Sequence, residues 1–533
     1  MYYLNSQKNN FCIVGGGTAG WLAALFLQRY FPKSSITLIE SSDIGILGAG
    51  EGTTPHFIGF LDELKIPLDY IIQEASATFK NGIKFTNYNG DGLSYFHGFK
   101  DNDNLDYSEV TNINYQNIPL LAVEQIAKGQ NLDSIDFSAR ASAENKVRYD
   151  DSKYEPFLGN HALHFNAVKL AKALKKVGVD RGIKIIDGIV DSIDNDENGN
   201  IISLKLSDKK VDCNFLIDCT GFKRYFIGNH FKSKWKSYKN NLPVKRAIPF
   251  FLDIGREMPP YTEAIAMKYG WVWKIPTQER YGCGYVFDSD MISDDEAKKE
   301  VDELVGYEVD SPRQFNFSAG CFQKTWIKNC VAVGLSSGFI EPKEATSIWV
   351  TIQQLRNLLP NIQGMVDGDS YYIDRYNKKI VKITDEILDF IYLHYVTNRS
   401  DTEFWKNFTS NNKMPKNIVN YLNECKEGIL NFDYFKYTSS TFDLKSYYAV
   451  SAGLNHFNKT KAINLLNSLT QGISGDAYIN NRQQYLEGIE MSIKSLSNHR
   501  YLIDSMRWKW SYKIRIGGLN LPWVIMIAMI LLI

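Results

Sequence analysis

Residues 11–30, FCIVGGGTAGWLAALFLQRY, pass from an apolar run through a glycine turn into an apolar helical stretch, and SITLIE follows at 35–40. Strand, turn, helix and strand in that order make a βαβ unit. Gly15, Gly17 and Gly20 form G-x-G-x-x-G. These glycines permit a tight turn, close backbone approach to a pyrophosphate and close helix–strand packing. The phosphate then rests on the helix amino terminus, at Thr18 and Ala19. Glu40 closes the second strand, where an acid binds a ribose hydroxyl pair. The expected fold class is α/β, with a Rossmann-type dinucleotide-binding domain around a mixed sheet.

Other stretches return to the same cofactor. GAGEGTTP (48–55) carries Ala49 and Gly50 in a loop able to wrap it. NFLIDCTGF (214–222) is a buried strand. NCVAVGLSSGFIEPKEATSIWV (329–350) is a strand, a glycine turn at Gly334 and a helix start that includes Ile348. That helix amino terminus offers unpaired N–H groups and a positive dipole end. ALHFNAVKLAKALKKVG (162–178) reads as one amphipathic helix. IKIIDGIVDSI and IISLKLSD are strands joined by a turn at ENGN (197–200). The expected organisation is a first part of the cofactor domain over 1–100 and a polar surface excursion over 101–160. The rest of that domain follows over 161–350. A mostly helical, substrate-side region fills 351–533.

Composition narrows the function. The 60 basic and 60 acidic residues cancel, and no basic block or zinc spacing points to nucleic acid. Seven scattered cysteines form no C-x-x-C pair, and no signal peptide is visible, so a reduced, cytoplasmic setting is expected. No residues are spaced as metal ligands, and His394 reads as a structural histidine. The closing run LPWVIMIAMILLI (521–533) is shorter than the ~20 residues a spanning helix needs. A buried terminal element is favoured there over an interfacial anchor.

GWVWKIP (270–276) is the most distinctive string. Trp271 and Trp273 alternate on a strand and so share one face, where large rings can wall a cofactor from a substrate. With GGGTAGW, GAGEGTTP, ATFKNGIKF (77–85), GLSSGFIEPKEATSI (334–348) and DFIYLHY (389–395), it resembles the flavin-dependent halogenases of the tryptophan-halogenase family. The resemblance implies that reduced FAD, dioxygen and a halide ion (chloride, bromide or iodide) give hypohalous acid, which halogenates an electron-rich aromatic carbon. Lys80 matches the family's catalytic lysine, which forms a haloamine or hydrogen-bonds hypohalous acid. Glu344 matches its glutamate, with Glu341 as rival. Thr346 and Ser347 match the positions whose backbone N–H groups hold halide. His97 and Phe99 resemble aromatics that stack on substrate, and Tyr447 and Tyr448 resemble residues that hold an amino acid.

A lone dinucleotide fingerprint implies a separate flavin reductase as partner. Lys343, Asn166, Lys245 and Thr277 depart from the family's usual residues. One rival reading is a single-component FAD-dependent aromatic hydroxylase, which would carry an acid after Gly334, where Leu335 stands. A non-catalytic FAD-binding protein is the other.

Overall fold

The computed structural model describes residues 9–45, 50–99, 120–147, 161–311, 313–362, 370–409, 413–428, 441–471 and 475–515. Ala49 and the apolar run 521–533 lie outside them.

A six-stranded sheet forms around Asn10–Val14, with Phe215–Asp218 on one side and Ser35–Glu40 on the other. Cys330–Ala332 and Lys184–Asp187 extend it in parallel, and Trp326–Ile327 closes one edge antiparallel. The central strands are apolar on both faces, as parallel strands must be when helices cover them. Helix Thr18–Tyr30 buries every residue from Gly20 to Leu27. It packs so closely on helix Ala167–Asp180 that a Cβ on Gly178 would stand 2.6 Å from the Trp21 ring.

The second helix is shorter than its sequence pattern. Ala162–Phe165 is a strand, paired with Glu51–Gly52 and with Thr78–Lys80. Asn166 ends it and begins the helix, its Oδ1 accepting from the N–H groups of Val168 at 3.0 Å and Lys169 at 3.2 Å. Such a cap contributes about 1 kcal/mol, and asparagine serves there as well as aspartate. A period of 3.6 over four residues cannot be told from a buried strand, which is why ALHF looks helical in isolation.

A second, seven-stranded sheet runs Phe315–Asn316, Arg246–Asp253, Arg280–Phe287, Gly270–Pro276, Tyr261–Ala266, Gly82–Thr86 and Ser94–Gly98. Its strands are antiparallel apart from the parallel pair 261–266 with 82–86. Thr277 closes one of its hairpins, its hydroxyl donating to the Arg280 carbonyl at 2.7 Å. Lys245 pairs with Asp290 at the rim.

The polar excursion expected over 101–160 differs in its described part. Residues 120–147 carry helices Leu120–Lys128 and Phe137–Ala143, and Leu120 to Ala127 are all buried. Among the described residues, Lys459–Thr470 packs on the first helix, and the second meets both strand Ser94–Gly98 and helix Gly475–Lys494. Beyond 350 the described chain is helical, led by Ser370–Leu393. Among the described residues no helix is long and apolar enough to cross a membrane.

Candidate active site

The glycine turn opens onto a cavity of about 1100 Å³. Gly15, Gly17, Thr18, Ala19, Gly20, Glu40 and Gly50 line it, as do Gly334, Thr346, Ser347 and Ile348 from the far end of the chain. Gly15 and Gly20 are required. Gly15 has φ +121°, and a Cβ there would meet the Cys219 carbonyl oxygen at 2.1 Å. A Cβ on Gly20 would meet the Gly15 oxygen at 1.8 Å, whereas one on Gly17 would meet nothing. A cradle that is closed behind and open in front suits a dinucleotide pyrophosphate. Glu40 reaches the cavity while paired with Lys175. The Gly334 N–H is spent on Gln354 Oε1 at 2.8 Å, and its φ of +73° brings the chain against Ala19. Cys219 to Gly221, after the buried strand 215–218, also reach the cavity. Glu51 lines it too, and burial pushes its carboxyl up to about 7. Volume, glycine cradle and ribose acid together fit FAD.

Behind one wall lies a cluster of buried charge. Gly52 lines the cavity, and a Cβ there would stand 3.2 Å from Lys80 Nζ. Lys80 ends the short strand Thr78–Lys80 and is fully buried. Its Nζ donates to the Thr53 carbonyl at 3.1 Å and lies 5.3 Å from the Phe99 ring. Burial pushes its ammonium down to about 7, against the pull of Glu344. A lysine so shifted has both a charged form that donates hydrogen bonds and a free-amine form that is nucleophilic within reach of neutral pH.

Glu344 follows Pro342 in a single 3₁₀ turn. His97 Nδ1 lies 2.9 Å from its Oε2, and His394 Nε2 lies 2.9 Å from its Oε1. His394 Nδ1 is also 2.8 Å from the Tyr95 hydroxyl. Burial alone would raise the Glu344 carboxyl, but the charge of His97 and the contacts with both imidazoles hold it down to about 2. Burial also works against a charged His97, yet Glu344 raises it overall. His394 is pushed down to about 4 by burial and stays neutral. The Glu344 carboxylate thus favours the charged form of His97, while burial favours the neutral form of His394.

Glu341 belongs to a different contact set. Its Oε2 accepts from Trp271 Nε1 at 3.1 Å and from the Tyr395 hydroxyl at 2.7 Å. Trp273 lines the cavity, and its ring centroid is 6.3 Å from that of the buried Trp271. Of the two, only Trp273 reaches the cavity, and Trp271 is buried behind it on the same strand. Ala345 then adopts a left-handed conformation, φ 54° and ψ 36°, and heads the thirteen-residue helix Thr346–Leu358 without a side-chain cap. The first N–H groups of that helix, on Thr346 and Ser347, therefore have no intrahelical acceptor.

Tyr447 and Tyr448 are buried on helix Leu444–Gly453. Tyr447 packs on Phe390 with centroids 4.9 Å apart, and the His97 ring meets Phe390 from its own side at 5.5 Å. Tyr448 turns instead to Phe457, at 5.3 Å. The structure thus links Lys80 with Phe99 and His97 with Glu344, joins Tyr447 to His97 through Phe390, and packs Tyr448 on Phe457. Sequence reasoning missed His394 and Tyr395 as members of the site. Their signal was present in DFIYLHY, a string quoted only for its likeness.

Tryptophan 7-halogenase RebH of Lentzea aerocolonigenes is 31% identical over 424 residues, covering 76% of this chain and 79% of that one. The solved structure of tryptophan 6-halogenase SttH from Streptomyces toxytricini is 25% identical with a TM-score of 0.81, covering 93% of this chain and 100% of that chain. BrvH, a flavin-dependent halogenase from Brevundimonas sp. BAL3, superposes with a TM-score of 0.78 at 25% identity, over 94% of this chain and 100% of that chain. Residues 10–466 match the tryptophan halogenase family model. With a glycine cradle, two tryptophans on one strand and a buried Lys80 that feels the charge of the buried Glu344, this chain belongs to the tryptophan halogenase family, the flavin-dependent halogenating enzymes.

Proposed function

We propose that this chain halogenates an electron-rich aromatic or heteroaromatic carbon, using FAD reduced by a separate flavin reductase. The observation that carries the reading is the buried Lys80–Glu344–His97 cluster, one glycine's thickness from the cofactor cavity. When bound, reduced flavin with dioxygen supplies the oxidising equivalent that turns halide into hypohalous acid. Thr346 and Ser347 hold the halide by their free N–H groups, at the positive end of the helix dipole.

Trp271 and Trp273 keep the organic substrate from the flavin while leaving a path for a small acid. Lys80 receives that acid. Its ammonium donates to the oxygen and leaves the halogen facing the substrate, or its free amine takes the halogen and releases water. Glu344 orients the cluster and takes the proton lost by the arenium. A carboxyl held near 2 is a weak base, but an arenium is a strong acid and needs no better one. Phe99 flanks the lysine, and Tyr447 and Tyr448 stand on the substrate side. The free state of all seven cysteines supports a reducing, cytoplasmic setting.

The test is product analysis. The purified chain is given FAD, a nicotinamide-dependent reductase, each halide in turn and an indole, and products are read by mass spectrometry. A halogenated indole is expected. An oxygenated product in its place would favour a hydroxylase.

A further inference from the structure

We infer that the Thr262 hydroxyl binds hypohalous acid on its way from the cofactor cavity to Lys80, accepting a hydrogen bond from the acid's O–H so that the halogen is left as the free end. The inference rests on the reading of Lys80 as the group that receives the acid.

Three side chains meet over the bare face of Gly52. A Cβ on that glycine would stand 3.2 Å from Lys80 Nζ, 3.4 Å from Thr262 Oγ1 and 3.5 Å from His164 Cδ2. Gly52 and Thr262 line the cavity and Lys80 does not, so these two residues mark the border between cavity and lysine. Strand register brings them there. His164 is opposite Gly52 on one side and Thr78 on the other. Thr262 alternates with Ala264 and Ala266 on the buried face of strand Tyr261–Ala266, and it is the polar member of that row.

Hydrogen bonding fixes the direction of the hydroxyl. Thr78 Oγ1 donates to the Pro276 carbonyl at 2.7 Å, which spends its proton. Its contact with His164 Nδ1 at 3.3 Å then places the imidazole proton on Nδ1. Burial, followed by the charges of Lys80 and His499, holds His164 well below its usual 6.5, so the ring is neutral. His164 Nε2 is therefore an acceptor, and Thr262 Oγ1, 2.9 Å away, donates to it. The one proton of Thr262 is thus committed. Its oxygen offers lone pairs alone, and no group among the described residues donates to them.

Hypohalous acid has three ends: an O–H donor, an oxygen acceptor and the halogen. Lys80 spends one N–H on the Thr53 carbonyl and has others for the acid's oxygen. Thr262 takes the O–H. With both polar ends held, the halogen alone faces the substrate. His164 is the positioning residue, because it turns an ambivalent hydroxyl into an acceptor. A valine at 262 would keep the shape and leave the O–H unmatched.

The test gives the full chain FAD, a flavin reductase, bromide and an indole, with catalase to remove peroxide. Free methionine is added in excess, so that its sulfoxide records acid that escapes. Wild type, Thr262→Val, Thr262→Ser and Lys80→Ala are compared, and FAD affinity and melting temperature show that each is folded. Thr262→Ala takes the place of the valine variant if that one does not fold. In Thr262→Val the sum of bromoindole and sulfoxide should match wild type. The ratio of bromoindole to sulfoxide should fall at least about fivefold, the scale of one hydrogen bond. Thr262→Ser should restore it. A fall in the sum itself would show that Thr262 serves the cofactor, and the proposal would be overturned. If Thr262→Val divides its product as wild type does while Lys80→Ala yields sulfoxide only, the lysine reading stands and the role of Thr262 is lost. If wild type makes no bromoindole, both readings fail together.

Discussion

His97 Nδ1 lies 2.9 Å from Glu344 Oε2, in a place where both side chains are buried. An ion pair with no water around it fixes the carboxylate's direction, and its second oxygen is met by His394 at 2.9 Å. Glu344 can therefore rotate little, and the charge that acts on Lys80 has a set orientation. Breaking one partner of such a pair costs more than the pair contributes, because the other charge is stranded.

Lys80→Ala should lower substrate halogenation at least ~100-fold, the scale of one positioned proton-transfer or hydrogen-bonding group. FAD affinity should remain, since Lys80 sits behind Gly52 and does not line the cavity. Product formation is measured with a reductase present, and FAD binding by fluorescence. Full turnover by the alanine variant would remove Lys80 from the mechanism.

Glu344→Gln should slow halogenation by roughly 10²–10⁴ if the carboxylate accepts the substrate proton. Glu341→Gln is the matched control. It keeps an oxygen for the donors of Trp271 and Tyr395, so its effect on turnover should be smaller. Rates for the two variants on one substrate decide which acid acts, and a larger loss in Glu341→Gln would reverse the assignment.

The His97–Glu344 pair should stabilise the fold more at low pH than at high pH. The folded state raises His97 above its usual 6.5, so its share of stability is complete below that value and is lost as pH climbs through the raised one. His97→Gln should therefore destabilise the protein by about 3 kcal/mol at pH 6, in the range for breaking a buried pair, and by less at pH 9. Denaturant melts at the two pH values measure the gap. An equal loss at both would mean that His97 is neutral.

The isolated chain should not oxidise NADH or NADPH appreciably, and halogenation should appear when a flavin reductase and FAD are added. The motivation is the lone G-x-G-x-x-G at 15–20. Nicotinamide consumption is followed by absorbance at 340 nm. Steady consumption by the chain alone would show that it reduces its own flavin.

Free tryptophan should be a poorer substrate than phenols, indoles or other heteroaromatics. Tyr447 packs on Phe390, beside His97, whereas Tyr448 packs on Phe457, two different settings for the pair that resembles an amino-acid clamp. A competition among mixed aromatics, with each halide in turn, ranks them by product. Strong, regioselective turnover of tryptophan alone would contradict this.

The cofactor half of the protein was legible in the sequence because its signals are local. Gly15, at φ +121°, and Gly20, where a Cβ would meet the Gly15 oxygen at 1.8 Å, answer backbone demands within a few residues, and Trp271 and Trp273 share a face by strand geometry alone. The family likeness named Lys80 and Glu344, but no periodicity could show what surrounds them. His97 and Glu344 are 247 residues apart, and only the meeting of the seven-stranded sheet with the 342–344 turn brings them together. The same closure makes Lys343, a lysine whose residue type argues for solvent, fully buried, with its ammonium 3.8 Å from Glu341 and over the Tyr395 ring. It also turns ALHF into a strand and covers the helix at 120–128. Burial and pairing depend on what the rest of the chain places opposite a residue, so charge state and partners were decided by tertiary structure, while turn chemistry and cofactor class were already written in the sequence.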